Sequence, residues 1–407
     1  MILLVIGSLT CCRQGHNEPS FSPHIDLNTD MNIDATESAI RSGLLEGRDL
    51  LVVKVGSSLL IDDAGQQRID WIEKLVGRLV ARGGPVVVVS SGAIALGRDA
   101  LGLSGRPRLL AQAQAAAAVG QIHLARTWAE AFAHHGGKAA QVLLSVGDLE
   151  DRPRYLNARA TMEMLLQYGI VPVVNENDTV ATEEIRFGDN DCLAARVAQA
   201  LGASTLLLLS DVDGLYTSDP LTDPDARHIG RVESIDSEVE ALAGQPRFDG
   251  VGTGGMASKL RAARIATEAG IHVLLGSGLS EDPFNDLAEG MPATLFRARS
   301  RPMAARKQWL KSLQQPTGEL AIDAGALAAL QSGSSLLAVG VQAVRGEFQR
   351  GDLVRLVGPQ GPCGQGLCAY RSEQADKIVG LSSDQIADIL EEAGRGPMIH
   401  RDDLVLY

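Results

Sequence analysis

Between residues 49 and 275 the chain alternates short, nearly continuous apolar runs with longer stretches of helical period. The runs fall at 50–55 (LLVVKV), 85–89 (PVVVV), 141–144 (QVLL), 170–174 (IVPVV), 205–209 (TLLLL) and 271–275 (IHVLL). Runs apolar on both faces fit strands of a parallel sheet that helices cover on both sides. The segments between them supply those helices. Residues 69–81 carry apolar positions at helical spacing, the Ala-rich stretch 109–134 is a strong helix former, and 192–201 and 256–269 are shorter. Repeated βαβ units predict an open α/β sandwich with a parallel-rich sheet. Ligands of such sheets bind beyond the carboxyl ends of the strands, so chemistry is sought in the residues that directly follow each strand.

The flanks read differently. Residues 1–12 (MILLVIGSLTCC) are apolar but lack a basic leader and a small-residue cleavage pattern, so an export signal is disfavoured, and Met31 is a plausible alternative start. Residues 13–47 are polar and patternless, and the whole of 1–48 is expected to be a disordered extension. Near residue 297 a basic run without acids begins (Arg297, Arg299, Arg301, Arg306, Lys307, Lys311), expected to be a solvated face on a linker or bridging helix over 297–316. Beyond it, strand-like runs at 336–341, 353–357 and 366–370 with Gly-rich turns predict a small β-rich domain over 317–407. The domain between these flanks is 49–296.

Composition narrows the function. In 407 residues, 50 Asp and Glu oppose 37 Lys and Arg, so the net charge of −13 repels polyphosphate at long range. Aromatics make up only 4%, too few for a base-stacking platform. No transmembrane run is visible, which argues against a membrane partner. The five cysteines match neither a disulfide framework nor a zinc pair, and a reducing cytoplasm is the simplest compartment.

Five strand-end signatures carry chemistry. Lys54 lies within a strand and is followed by Gly56, Ser57 and Ser58, small residues that let a phosphate approach the backbone; a structural lysine is the alternative. Ser90, Ser91 and Gly92 end the next strand and open a helix, as an anion site or a simple N-cap. The strings NEND at 175–178 and GDND at 188–191 crowd the mouth of one strand and the entrance to the following helix. Asx turns explain two or three of these residues; the rest suit a zwitterionic small molecule, acids for its ammonium and amides for its carboxylates. Ser210 and Asp211 open SDVDGLY, which is either a nucleotide rim or an acidic turn. The fifth, GTGGMASK at 252–259, is a Gly-rich loop entering a helix with Lys259 in its first turn. No Walker-type loop is present, and none of the eight histidines falls in these signatures, which disfavours Ser/His hydrolysis and His-ligated zinc. Two lysines, two helix N-termini and an acidic cluster describe phosphoryl transfer instead.

Taken together and in this order, LVVKVGSSLL, SSGAIALG, NENDTVATEEIRFGDND, LLLLSDVDGLYTSDP and GVGTGGMASKL resemble the amino-acid kinase family. Within it they resemble the branch that phosphorylates glutamate at the start of proline biosynthesis. The C-terminal strings GSSLLAVGV, GEFQRGDLVRL and IHRDDLVLY resemble a PUA domain. The resemblance implies Lys54, Lys259 and Asp191 as catalytic residues, and Ser91, Asp178 and Asn190 as binders of L-glutamate. It implies an ATP site of Lys54, Ser210, Asp211, Thr253, Gly254, Gly255, Met256, Ala257, Ser258 and Lys259. Mg²⁺ would be held chiefly by the nucleotide phosphates, with no metal site built by the protein. Inhibition by proline and assembly as a homo-oligomer, dimer or tetramer, are further implications. RNA binding, which PUA domains often perform, is disfavoured because residues 317–407 hold seven Lys and Arg against twelve Asp and Glu. Other acceptors in the same family, N-acetylglutamate, aspartate or carbamate, remain the alternative.

Overall fold

The computed structural model describes residues 25–26, 35–62, 66–103, 105, 107, 109–180, 190–243, 255–313, 315–390 and 396–407. The N-terminal part is built on a nine-stranded sheet. Its strands are β1 (Ile25–Asp26), β2 (Leu51–Val55), β3 (Val86–Ser90), β4 (Lys138–Leu144), β5 (Ile170–Glu176), β6 (Thr205–Ser210), β9 (Arg231–Val232), β10 (His272–Ser277) and β11 (Ala293–Phe296). Two short strands, β7 (Leu215–Tyr216) and β8 (His228–Ile229), pair separately. The order β1-β9-β11-β10-β6-β2-β3-β5-β4 contains six adjacent parallel strands, from β10 to β4. From β2 the chain builds first toward β3, β5 and β4, then returns to the other side with β6 and β10. The crevice outside β2, β3 and β6 is therefore the switch point where such folds bind ligands.

Strand parity divides the core. Leu51, Val53 and Val55 of β2 pack into one layer with Trp71, Ile72, Leu75, Trp128 and Phe132 from the helices Ile69–Ala81 and Leu110–His134. Val52 packs into the other, with Met162, Leu193, Val197, Leu260 and Ala263 from Arg152–Gln167, Asn190–Leu201 and Met256–Glu268. Successive residues of a strand point to opposite faces, so Lys54 belongs to the second layer. The expected strands and helices all appear, most within three residues of their expected bounds. Arg152–Gln167 is a helix that hydropathy did not indicate, because only Arg159 and Met162 of its sixteen residues are buried and no apolar stripe is visible.

A helix precedes residue 49, which corrects the reading of 1–48 as a disordered extension over 35–46; residues 1–24 and 27–34 lie outside the described residues. Residues Ala35–Glu46 form a helix against Pro283–Ala288. Leu45 is fully buried, and the guanidinium of Arg41 donates to the carbonyls of Met291 (3.0 Å) and Ala293 (2.7 Å). Arg82 Nε also donates to the Leu45 carbonyl at 2.7 Å, so side-chain bonds from arginines help to dock this segment, which a hydropathy pattern cannot reveal.

The C-terminal part is a five-stranded sheet of β12 (Gly318–Ile322), β13 (Val341–Gly346), β14 (Leu353–Gly358), β15 (Gly361–Leu367) and β16 (Leu404–Leu406), in the order β13-β12-β14-β15-β16. The strand expected at 336–341 is displaced: Leu336 makes an isolated bridge to Ile399, Ala338–Gly340 is a 3₁₀ turn, and pairing starts at Val341. A Cβ on Gly340 would lie 2.5 Å from that of Ala326, so this turn packs too closely on the helix Ala324–Gln331 to extend. The run at 366–370 likewise leaves its strand after Leu367, and Cys368 and Tyr370 turn into the core.

Part of the basic linker is not a solvated face. In the helix Pro302–Ser312, Arg306 donates to Tyr155 Oη (2.9 Å), to the Asp402 carbonyl (2.9 Å) and to the Asp403 carboxylate. Arg159 grips both oxygens of Asp403, at 2.8 and 2.9 Å, and bonds Glu163 at 2.7 Å. Asp403 is only 4% exposed, so two guanidinium groups, from the N-terminal part and the linker, meet one buried carboxylate from the C-terminal domain.

Two substitutions test this packing. Asp403→Ala leaves Arg159 buried without its main partner and should cost about 3–5 kcal/mol in denaturant unfolding; a cost under ~1 kcal/mol would mean that the cluster is solvated. Gly120→Ala places a methyl 1.8 Å from the Ala93 carbonyl oxygen, and should destabilise by at least the ~1–3 kcal/mol typical of overpacking. An unchanged melting temperature would show that the helix Leu110–His134 can move freely away from the helix Ala93–Gly97.

Candidate active site

The carboxyl ends of the central strands bring three buried charges together. Lys54 comes from β2, Asp191 is the second residue of the helix Asn190–Leu201, and Lys259 is the fourth residue of Met256–Glu268. Both helices pack in the layer that Lys54 faces. Lys54 Nζ lies 2.6 Å from Asp191 Oδ1, and Lys259 Nζ lies 3.3 Å from Oδ2. The three residues are 6%, 1% and 6% exposed. Burial pushes the Asp191 carboxyl up, but the two ammonium groups outweigh it and hold it below the usual range, so it stays ionised. A carboxylate in the first turn of a helix also gains from the helix dipole. Two ammonium groups at the same strand ends favour an anionic ligand beside them.

The neighbouring strands build an amide-lined wall. Ser90, at the end of β3, faces the first layer and accepts a hydrogen bond from Trp128 Nε1 at 2.9 Å. Gly92 follows with φ 101°, a left-handed conformation that favours glycine, and turns the chain into the helix Ala93–Gly97. Ser91 lies between and accepts from Asn190 Nδ2 at 3.0 Å. Asn190 Nδ2 also donates to Asn175 Oδ1 at 3.2 Å, and Asn175 Nδ2 donates to Gln121 Oε1 at 2.7 Å. The Asn190 Oδ1 atom is buried and has no partner among the described residues.

Beside this wall, Glu176 and Asp178 are 5% and 9% exposed at the mouth of β5. Burial, reinforced by the charge of Glu176, pushes the Asp178 carboxyl up to about 7. Asn177 serves the turn: its carbonyl accepts from Val180 N and its side chain accepts from Thr179 Oγ1 at 2.6 Å. The acidic mouth and the lysine cluster are two strands apart, about 10 Å by sheet spacing. An acceptor with an ammonium at one end and a carboxylate at the other can span that distance when side chains reach inward from both sides.

On the other flank, Gly56 N donates to the Leu209 carbonyl at 3.2 Å and stitches the end of β2 to β6. Ser210 is buried at the tip of β6, with its hydroxyl on Asp211 Oδ1 at 2.9 Å, and Asp211 is exposed. Gly255 caps the helix that carries Met256, Ala257, Ser258 and Lys259; Thr253 and Gly254 lie outside the described residues. Of the residues expected from the sequence, Lys54, Asp191, Lys259, Ser91 and Asn190 are thus linked by direct contacts, Asp178 lies at the acidic mouth, and Ser210 and Asp211 form the adjacent rim. Gln121 and Trp128 were not anticipated. Both sit inside a stretch read only as a helix former, and the available signal was that Gln121 precedes the buried Leu124 and Trp128 by three and seven residues, on their side of the helix.

Comparison with known proteins assigns the two parts separately. The Amino acid kinase family profile matches residues 49–277, and the PUA domain profile matches 318–390. A glutamate 5-kinase from Rhodopseudomonas palustris (strain BisB5) is 52% identical over 361 residues, covering 88% of this chain and 96% of that protein. One from Paracoccus denitrificans (strain Pd 1222) is 53% identical over 360 residues, covering 88% and 96%. One from Bradyrhizobium sp. (strain BTAi1 / ATCC BAA-1182) is 51% identical over 367 residues, covering 89% and 97%. Among the described residues no helix is long and apolar enough to cross a membrane. The parallel sheet, the charges gathered at its switch point and these matches agree, and the chain belongs to the amino acid kinase family, with a C-terminal PUA domain.

Proposed function

We infer that the chain is a glutamate 5-kinase: it transfers the γ-phosphoryl group of ATP to the γ-carboxylate of L-glutamate, giving L-glutamyl 5-phosphate for proline biosynthesis. The observation that carries the reading is the buried Lys54–Asp191–Lys259 cluster. It supplies two preorganised ammonium groups where negative charge gathers in phosphoryl transfer. The relatives at 51–53% identity support the choice of substrate.

The chemistry asks little of the protein beyond placement. A γ-carboxylate with a pKa of about 4.3 is already ionised at neutral pH, so no general base is needed. Its oxygen attacks Pγ, the bond from Pγ to the bridging oxygen breaks, and ADP leaves with that electron pair. Lys54 and Lys259 neutralise charge on the moving phosphoryl group, while Asp191 keeps both ammonium groups in place. Ser91, Asn190 and Asp178 hold the amino acid, the acid and the buried amide oxygen receiving its ammonium. That pairing favours a free amino group over an acetylated one. Ser210, Asp211 and the segment from Thr253 to Lys259 hold the nucleotide. Mg²⁺ enters with the nucleotide, held chiefly by its phosphates, as is usual for this hard cation. A cytoplasmic, homo-oligomeric enzyme inhibited by proline completes the reading.

Trapping the acyl phosphate with hydroxylamine tests it. Hydroxamate should form with L-glutamate, ATP and Mg²⁺, far less with N-acetylglutamate or aspartate, and proline should suppress it; product with another acceptor alone would overturn the substrate assignment. In the same assay Lys259→Ala should lower kcat by at least about 10², the scale of losing one preorganised donor, and near-normal turnover would remove its role.

Asp178 gives a prediction in pH. Its folded pKa of about 7 lies above an unfolded value of about 3.9, so the native state binds the extra proton between them. Stability should therefore fall as pH rises through that window, with the whole cost of charging present above about 7. Asp178→Asn removes the cost, and should raise the melting temperature of the ligand-free protein at pH 8 but not at pH 4, while raising the KM for glutamate. A lower melting temperature at pH 8, or an unchanged KM, would contradict the assignment.

A further inference from the structure

The amide-lined wall has a direction, and that direction is set outside the substrate pocket. A backbone N–H can only donate, and that of Glu176 lies 2.9 Å from the Asn175 side chain, so the atom it meets is Oδ1. The Asn175 nitrogen therefore faces Gln121, whose Oε1 accepts from it at 2.7 Å. The same Asn175 oxygen can be met only by a donor of Asn190, which is Nδ2 at 3.2 Å, and that nitrogen spends its other proton on Ser91 Oγ at 3.0 Å. Both donors of the Asn190 amide are thus committed to protein. What remains is its oxygen, buried and without a partner among the described residues.

We propose that Gln121 is a positioning residue for the acceptor's amino group: through Asn175 it holds the Asn190 amide so that the pocket offers an oxygen, not an NH₂, to the substrate ammonium. The proposal rests on the glutamate 5-kinase reading and deepens it. Asn175 is 2% exposed, so without an acceptor at position 121 its Nδ2 would be a buried donor with no partner. The side chain relieves that by turning away from the Glu176 N–H, and the Asn190 amide is then free to turn as well. An NH₂ pointed at an ammonium repels it, whereas the nucleotide site lies on other elements and Asp191, the next residue of the helix, is held in place by Lys54 and Lys259. Gln121 is only half-buried, so it can be altered without opening the core.

The full-length chain is assayed by hydroxamate formation with L-glutamate, varying glutamate and ATP separately. If the unaltered chain forms no hydroxamate, the functional reading fails before this proposal is reached. Given turnover, Gln121→Met should raise the KM for glutamate about tenfold, the scale of one misdirected hydrogen bond, and leave kcat and the KM for ATP within about twofold. Gln121→Glu keeps an acceptor facing Asn175 and should return the glutamate KM to within about threefold of the unaltered value. Should Gln121→Met not fold, Gln121→Lys, which offers only donors, carries the same expectation. A glutamate KM unchanged in the variant that lacks an acceptor, a parallel loss in all three constants, or a Gln121→Glu variant as impaired as the others would overturn the proposal.

Discussion

A single buried carboxylate between two buried ammonium groups is the constraint around which this molecule is arranged. Burying any one of the three charges alone would cost several kcal/mol. Together, Lys54, Asp191 and Lys259 persist because one strand and two helices, from widely separated parts of the chain, deliver them to the same few ångströms. Two preorganised ammonium groups in a water-poor site are the kind of arrangement that interacts strongly with negative charge.

The helix Leu110–His134 organises the β3 and β5 side of the same crevice. Gly120 lets it approach the Ala93 carbonyl more closely than any side chain would permit. Trp128 then reaches Ser90 at the end of β3, and Gln121 reaches Asn175 in β5. A helix that looks in sequence like inert, Ala-rich filler therefore aligns two strand ends through two polar contacts. Close backbone packing and hydrogen-bond direction act together here, because the contacts are only as accurate as the approach that brings the helix in.

The C-terminal domain is tied to this arrangement by charge, beside a small apolar cluster of Leu310, Leu353, Leu367 and Val405 at the linker. Asp403 accepts from Arg159 and Arg306, and Arg159 lies on the helix Arg152–Gln167 that leads into β5. The linker arginine expected to be solvated is part of that junction. A basic run in sequence says that positive charge is present, and cannot say which of its members finds an acid nearly a hundred residues away.

The local signals were legible because they depend on neighbours in the chain. The period of residues 69–81 predicts the helix Ile69–Ala81 to the residue, and runs apolar on both faces predict the parallel strands. Strand-end polarity likewise picked out Lys54, Ser91, Asn190, Asp191 and Lys259 before any contact among them was visible. The helix Ala35–Glu46, the strand displaced to Val341, the Arg159–Asp403–Arg306 junction and the part of Gln121 were not legible. Each depends on a partner brought near by folding, at separations of 54 residues for Gln121 with Asn175 and 244 for Arg159 with Asp403. The sequence by itself determined the α/β class, the order of the elements and the inventory of charged and amide groups at the strand ends, since these follow from periodicity and residue type. Only the tertiary structure decided which charges neutralise one another and which way each amide points, because Coulomb energy and hydrogen-bond direction depend on distances in space that separation along the chain does not set.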